Sequence, residues 1–156
     1  MSMKGTFILS NKWDIRFLEM AKLVASWSKD PSTQVGAIAV RNRNVIAQGY
    51  NGFPRGVVDT HSRLLDKETK YKYIVHAEMN CIYNAAYQGS CLVGSTMYVH
   101  GLPVCHECAK GIIQSGIIRV VSPKIKEPTV IAMKWKQSMK LTMDLFTEVV
   151  IRYDFV

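Results

Sequence analysis

Two short motifs constrain this chain more than anything else in it: His76-Ala77-Glu78, and Pro103-Val104-Cys105-His106-Glu107-Cys108. Their side chains make chemical sense together only if the two segments meet. His76, Cys105 and Cys108 supply three ligands for a tetrahedral metal ion. A closed structural site takes four, so three leave a position for water, and Glu78 remains a carboxylate free to move protons. Both motifs head helical patterns, where unpaired backbone N–H groups and the positive end of the dipole favour anionic thiolates. Cys105 and Cys108, three apart, share one helix face. His106 between them points elsewhere and reads as a neighbour of the site or a surface residue rather than a ligand.

Taken alone, Cys-x-x-Cys fits a redox pair, half of a structural zinc site, or two buried thiols. The upstream His-x-Glu, and the strand-like run Thr96 to His100 leading into the second motif, favour the catalytic reading. Two thiolates and an imidazole cancel the charge of a dication, so such a metal is a weak Lewis acid and a base is needed. Glu78 fits that role, taking a proton from water and delivering it to a ring nitrogen and then to a departing amine. The pattern resembles the H-x-E and P-C-x-x-C signature of the zinc nucleobase deaminases. One detail departs from it: Pro103 stands two residues before Cys105, with Val104 between. His61 and His100 lack companions at ligand spacing. Cys81 and Cys91 read as small buried residues, unpaired in any disulfide.

At 156 residues and 48% hydrophobic content the chain suits one domain, residues 1–156, with a full core. No apolar run approaches membrane-spanning length and the start has no apolar leader segment, so no membrane partner and a cytoplasmic location are expected. Four cysteines, two of them at ligand spacing, fit a reducing compartment. A net charge of +8 attracts anions, yet the basic residues are scattered, with no basic tail and no aromatic-basic interleaving. A small phosphorylated substrate is at least as well supported as a polymer.

Apolar spacing predicts a helix over Lys12 to Ser28, ended by Asp30-Pro31. Val35 to Val40 and Val45 to Tyr50 read as a hairpin around Arg41 to Asn44, and Asn51 to Gly56 as a Gly/Pro-punctuated loop. The polar stretch Asp59 to Tyr73 reads as a surface insertion with one helical turn. A helix His76 to Gln88 stopping near Gly89, a strand Thr96 to His100, a helix Cys105 to Ser115 ending at Gly116 and a strand Ile117 to Val121 follow. A helix near Val130 to Leu145 and a strand near Glu148 to Phe155 complete the expectation: an α/β fold, a three-layer α-β-α sandwich around a five-stranded mixed sheet, with parallel crossovers and helices on both faces.

Three longer segments carry a further resemblance: Ser28-Lys29-Asp30-Pro31-Ser32-Thr33-Gln34-Val35-Gly36-Ala37, Gly49-Tyr50-Asn51-Gly52-Phe53-Pro54, and His76-Ala77-Glu78-Met79-Asn80. In that order and at those separations they resemble the deoxycytidylate (dCMP) deaminase family, cytidine deaminase-like in fold. The resemblance implies hydrolysis of dCMP to dUMP and ammonia, in the supply of thymidylate precursors, with one catalytic zinc. It implies that Asn51 holds the sugar 3′-hydroxyl, that the Ala77 backbone reads the base edge, and that Ser28 and Lys29 face the phosphate; Trp27 stands where relatives often carry arginine. It further implies a homohexamer activated by dCTP and inhibited by dTTP. The effector site would include Gly49, Tyr50, Gly52, Phe53 and Arg55, with Mg accompanying a bound deoxynucleoside triphosphate.

Two other functions compete. A deaminase of tRNA adenosine or single-stranded cytosine would use the same zinc chemistry, and the basic charge favours it slightly, whereas the Ser-Lys-Asp-Pro and Gly-Tyr-Asn-Gly-Phe-Pro segments oppose it; a deaminase that also accepts dCTP is a nearer variant. A nucleotide-sensing module with purely structural zinc is opposed by Glu78, for which a structural site has no use. The expected partner is therefore a small nucleotide and not a nucleic acid.

Overall fold

The computed structural model describes residues 11–125, 133 and 135–156. Helix α1 (Asn11–Ala25) comes first. Strands β1 (Gly36–Arg41) and β2 (Asn44–Tyr50) form an antiparallel hairpin. Its two-residue turn, Asn42-Arg43, has positive φ at both positions (51° and 61°). That is the turn geometry whose twist matches paired strands. Helices α2 (His61–Leu65), α3 (Lys67–Tyr73) and α4 (Ala77–Gln88) lead to β3 (Thr96–His100). Then come α5 (His106–Gln114), β4 (Arg119–Ser122), α6 (Lys136–Glu148) and β5 (Arg152–Phe155). The sheet order is β2-β1-β3-β4-β5; β1 pairs antiparallel to both β2 and β3, while β3, β4 and β5 run parallel.

The expected layers are present. Strand β1 is apolar on both faces because both are covered. Its Ile38 and Val40 meet Phe17, Leu18, Ala21 and Val24 of α1, together with Tyr98 and Val121. Its Ala37 and Ala39 pack with Met97, Val99 and Val120 against α4, α5 and Phe146 of α6. Small residues on that side let α4 lie close to the sheet. A Cβ on Gly49 would stand 2.2 Å from the backbone nitrogen of Cys81, so the helix rests on the strand's bare backbone there.

Several boundaries differ from expectation. Helix α1 stops at Ala25 and β5 starts at Arg152, since α6 runs on through Glu148. Strand β4 begins at Arg119, with Ile118 exposed before it. The predicted start of the last helix, residues 130–132 and 134, lies outside the described residues. Residues 59–73 hold two helices rather than one turn. Thr60 and Asp66 cap them by accepting the backbone N–H of Arg63 and of Thr69, and the insertion buries Leu64 and Lys70. Cys91 is exposed, not buried; Cys81 is fully buried, and burial pushes its thiol up to about 12.

Behind the sheet, Arg119 joins α1 to the parallel strands. Its Nη1 and Nη2 donate to the two carboxylate oxygens of Asp14 at 2.8 and 2.9 Å, and its Nε donates to Asp154 at 2.7 Å. The hydroxyl of Tyr98 donates to the same Asp14 at 2.8 Å. Burial alone would raise the Asp14 carboxyl, but these hydrogen bonds and the guanidinium charge hold it below the usual carboxylate range.

Candidate metal centre and substrate cavity

The two motifs meet where the first turns of α4 and α5 converge. His76 is the residue before α4, in extended backbone (φ −66°, ψ 153°), and Cys105 holds the same position for α5 (φ −81°, ψ 161°). Extended geometry at both helix starts turns these side chains towards each other, while Cys108 reaches in from the first turn of α5. His76 Nδ1 lies 3.5 Å from Cys105 Sγ and 3.4 Å from Cys108 Sγ. Zinc bonded tetrahedrally to one sulfur and one imidazole nitrogen holds those atoms about 3.6 Å apart, so the donors are spaced to fit it.

The electrostatics agree. Cys105 is pulled down to about 4, because the Cys108 thiol, the His76 ring and the Cys108 backbone N–H all donate to its sulfur and outweigh burial. Cys108, which gives a hydrogen bond to Cys105 and is deeper, is pushed up. The pair thus retains one proton, which a divalent cation would displace. The hydrogen bond with Cys105 raises His76 against the effect of burial.

Glu78 is 4% exposed, in the first turn of α4. Burial pushes its carboxyl up to about 7, against opposing backbone hydrogen bonding and the His76 charge. A carboxyl poised near neutrality both accepts and donates a proton at physiological pH.

His76, Ala77, Glu78 and Cys105 line a cavity of about 510 Å³. The loop after α1 gives it Asp30, Ser32 and Thr33, and Asn51 adds an amide. Helix α3 supplies Lys67, Lys70 and Tyr71; Leu102, Pro103 and Trp135 make an apolar wall. Asn51 is also a structural tie. Its Oδ1 accepts the Val35 N–H at 2.8 Å and its Nδ2 donates to Thr33 O at 2.9 Å, so it holds the Asp30–Val35 loop at the cavity edge.

Ser28 and Lys29 do not line the cavity. Ser28 is buried, its hydroxyl donating to Asn51 O at 2.8 Å and accepting from Asp30 N–H at 3.2 Å. Lys29 is exposed and pairs with Asp59 at 2.9 Å. Among the described residues the cations that reach the cavity are Lys67, which is exposed, and Lys70, buried against Asp30 at 3.1 Å. Nothing in the sequence distinguishes them from the other scattered lysines, because the docking of α3 selects them.

Apart from Asn51, the turn residues named for an effector lie outside the cavity as well. Gly49 is packed under α4, and Gly52 bridges to Val75 by paired backbone hydrogen bonds. Phe53 packs edge-on against Tyr73. Tyr50 and Arg55 are exposed, Arg55 donating to Asn84 at 2.9 Å and stacking over Tyr87. His106 bonds through its ring to Ser138 at 2.9 Å and is no ligand, while His61 opens α2.

Residues 11–123 match the cytidine and deoxycytidylate deaminase zinc-binding region. An uncharacterized deaminase from the luxG 3′ region of Aliivibrio fischeri is 39% identical over 138 residues, covering 88% of this chain and 89% of that protein. Mouse deoxycytidylate deaminase is 44% identical over 118 residues, 70% of this chain; the match spans 64% of the mouse enzyme, less than two thirds of its length. The fold is that of the cyanophage S-TIM5 dCMP deaminase, at a TM-score of 0.70 and 21% identity, covering 93% of this chain and 98% of that one; that protein has also been solved with dCMP and dUMP.

Proposed function

The chain belongs to the cytidine and deoxycytidylate deaminase family, and from that membership we propose that it hydrolyses dCMP to dUMP and ammonia. The observation that carries the reading is one cavity lined by Glu78, by His76 and Cys105 of the metal triplet, and by lysines and hydroxyls. A bound zinc supplies Lewis acidity that makes water a nucleophile at neutral pH. Glu78 takes the proton of the water that adds to the base carbon bearing the amino group. It passes this proton to the ring nitrogen, takes the remaining proton from the added hydroxyl and gives it to the amine as the carbon–nitrogen bond breaks, so that a carbonyl replaces the amine on the ring and ammonia leaves.

Ala77, fully buried, presents backbone rather than side chain to the base, and Asn51 retains one amide N–H for the sugar. We assign the phosphate to Lys67, assisted by Ser32 and Thr33. Helix α3 rises about 1.5 Å per residue towards His76, which places Lys67 at its far end, where the phosphate of a nucleotide with its base at Glu78 would lie. Lys70 is already neutralised by Asp30 and holds Ser32. The same reading includes a homohexamer controlled by dCTP and dTTP at the turn after β2. Exposed Tyr50 and Arg55, outside the cavity, leave room for an effector that does not compete with substrate.

The deciding experiment offers zinc-loaded protein dCMP, dCTP, cytidine and single-stranded oligonucleotides, and follows ammonia release. Turnover of dCMP well above the others is expected. Turnover confined to oligonucleotides would replace this reading with a polynucleotide deaminase.

A further inference from the structure

Cys105 is held in place by residues of the C-terminal helix and strand, beyond residues 11–123 that match the family. The carbonyl of Val104 accepts the Thr142 hydroxyl at 3.0 Å. The backbone N–H of Val104 donates to the Tyr153 hydroxyl at 3.1 Å. On the other side of Cys105, the backbone N–H of His106 donates to Ser138 Oγ at 3.1 Å. Each peptide unit is planar, so fixing one of its polar atoms restrains the whole plane. The planes on both sides of Cys105 are therefore restrained by α6, and the plane before them by β5. The two flanking planes set the direction of the Cys105 Cα–Cβ bond, and with it the region its sulfur can reach.

The contacts come from one helix face and a partly buried ring. Ser138 and Thr142 are four residues apart on α6 and so face the same way. Thr142 is fully buried, and Phe146, one turn further on, anchors the helix in the core. Tyr153 packs between Phe146 and Phe155, at ring distances of 5.8 and 4.5 Å. Because its oxygen accepts from Val104, its own proton is available to Ser122 Oγ at 3.1 Å. Burial pushes this phenol up to about 12, so it keeps that proton throughout the working range.

We propose that Ser138, Thr142 and Tyr153 are positioning residues for Cys105, orienting its sulfur towards His76 and Cys108 for metal. The proposal rests on the metal site described above. Groups that orient metal ligands typically contribute 10–100-fold to metal affinity. A merely structural role would lower thermal stability without changing the metal's surroundings.

The test compares wild type, Thr142→Val, Thr142→Ser, Ser138→Ala and Tyr153→Phe after loading with Co(II). Thiolate-to-cobalt absorption and the rate of metal loss to a chelator are read, with thermal unfolding of the metal-free proteins alongside. Thr142→Val and Tyr153→Phe should lose metal about tenfold faster and shift the cobalt spectrum. Thr142→Ser, which keeps the hydroxyl, should restore both even where it unfolds earlier than wild type. Ser138→Ala, at a half-buried position, keeps the test open if Thr142→Val does not fold. Wild-type spectra and loss rates in the folded variants would overturn the positioning role. Failure of wild type to bind Co(II) would instead overturn the metal site on which it rests.

Discussion

Lys70 Nζ lies 3.1 Å from Asp30 Oδ1, with the side chains 6% and 5% exposed, joining α3 to the loop after α1. Asp30 Oδ1 also accepts the backbone N–H groups of Ser32 and Thr33, so one carboxylate arranges a whole edge of the cavity. Removing one member of a buried pair strands the other's charge and costs about 3–5 kcal/mol. Lys70→Met should therefore destabilise the protein on that scale in urea unfolding and disorder the edge that Ser32 and Thr33 form. Wild-type stability would show that the pair is solvated.

Lys67 and Lys29 separate two locations for the phosphate. Lys67→Ala should raise KM for dCMP about tenfold or more and leave deoxycytidine unaffected, the loss shrinking with added salt. Lys29→Ala should alter neither substrate, since Lys29 pairs with Asp59 at the exposed surface. The opposite ranking of kcat/KM would return the phosphate to the end of α1.

Glu78→Gln should retain zinc and lower kcat by about 10²–10⁴, because one carboxyl carries every proton transfer. Cys105→Ala should lose zinc along with activity. Metal analysis beside steady-state kinetics distinguishes them, and a Glu78→Gln enzyme at a tenth of the wild-type rate would end the proton-carrier role.

Gly49→Ala would place a methyl group 2.2 Å from Cys81 N and 2.7 Å from Ala77 O. Since neither is a side chain that can rotate away, β2 and α4 must separate. The expected loss is at least the 1–3 kcal/mol typical of overpacking. A lowered Tm with weakened zinc binding is the predicted outcome, because His76 and Glu78 ride on α4. An unchanged Tm would mean that Gly49 is not a packing residue.

Arg119→Met tests the sign of a pH effect. In wild type the Asp14 pKa is depressed, so its contribution is present above the unfolded carboxylate value and is lost as pH falls through the lower folded value. Without the guanidinium, only the Tyr98 hydrogen bond and the Arg152 charge oppose burial, so less of the depression survives. The variant then has less of that contribution to lose as pH falls. The stability gap between the two proteins should therefore be widest above the unfolded carboxylate value and narrow as pH falls through it in denaturant titrations. A gap independent of pH would refute the account.

The sequence by itself determined what is local or chemically singular. Alternation and helical spacing placed α1, the hairpin, α4, β3 and α5, because each carries its own period and stop signal, such as Gly89 in left-handed backbone at the end of α4. Ligand chemistry brought His76, Cys105 and Cys108 together before any fold was known, since few residue sets hold a dication. Tertiary structure decided what depends on which surfaces meet. Ser28 and Lys29 sit at a suggestive place in the chain, yet backbone direction leaves one buried and the other outside, while Lys67 and Lys70 reach the cavity only because α3 docks there. Gly49, read as part of an effector loop, is the point where a helix touches a strand. Thr142 and Tyr153 carry no motif at all: their hold on Val104 comes from the return of the chain across the sheet, a pairing at separations of 38 and 49 residues that no local period records.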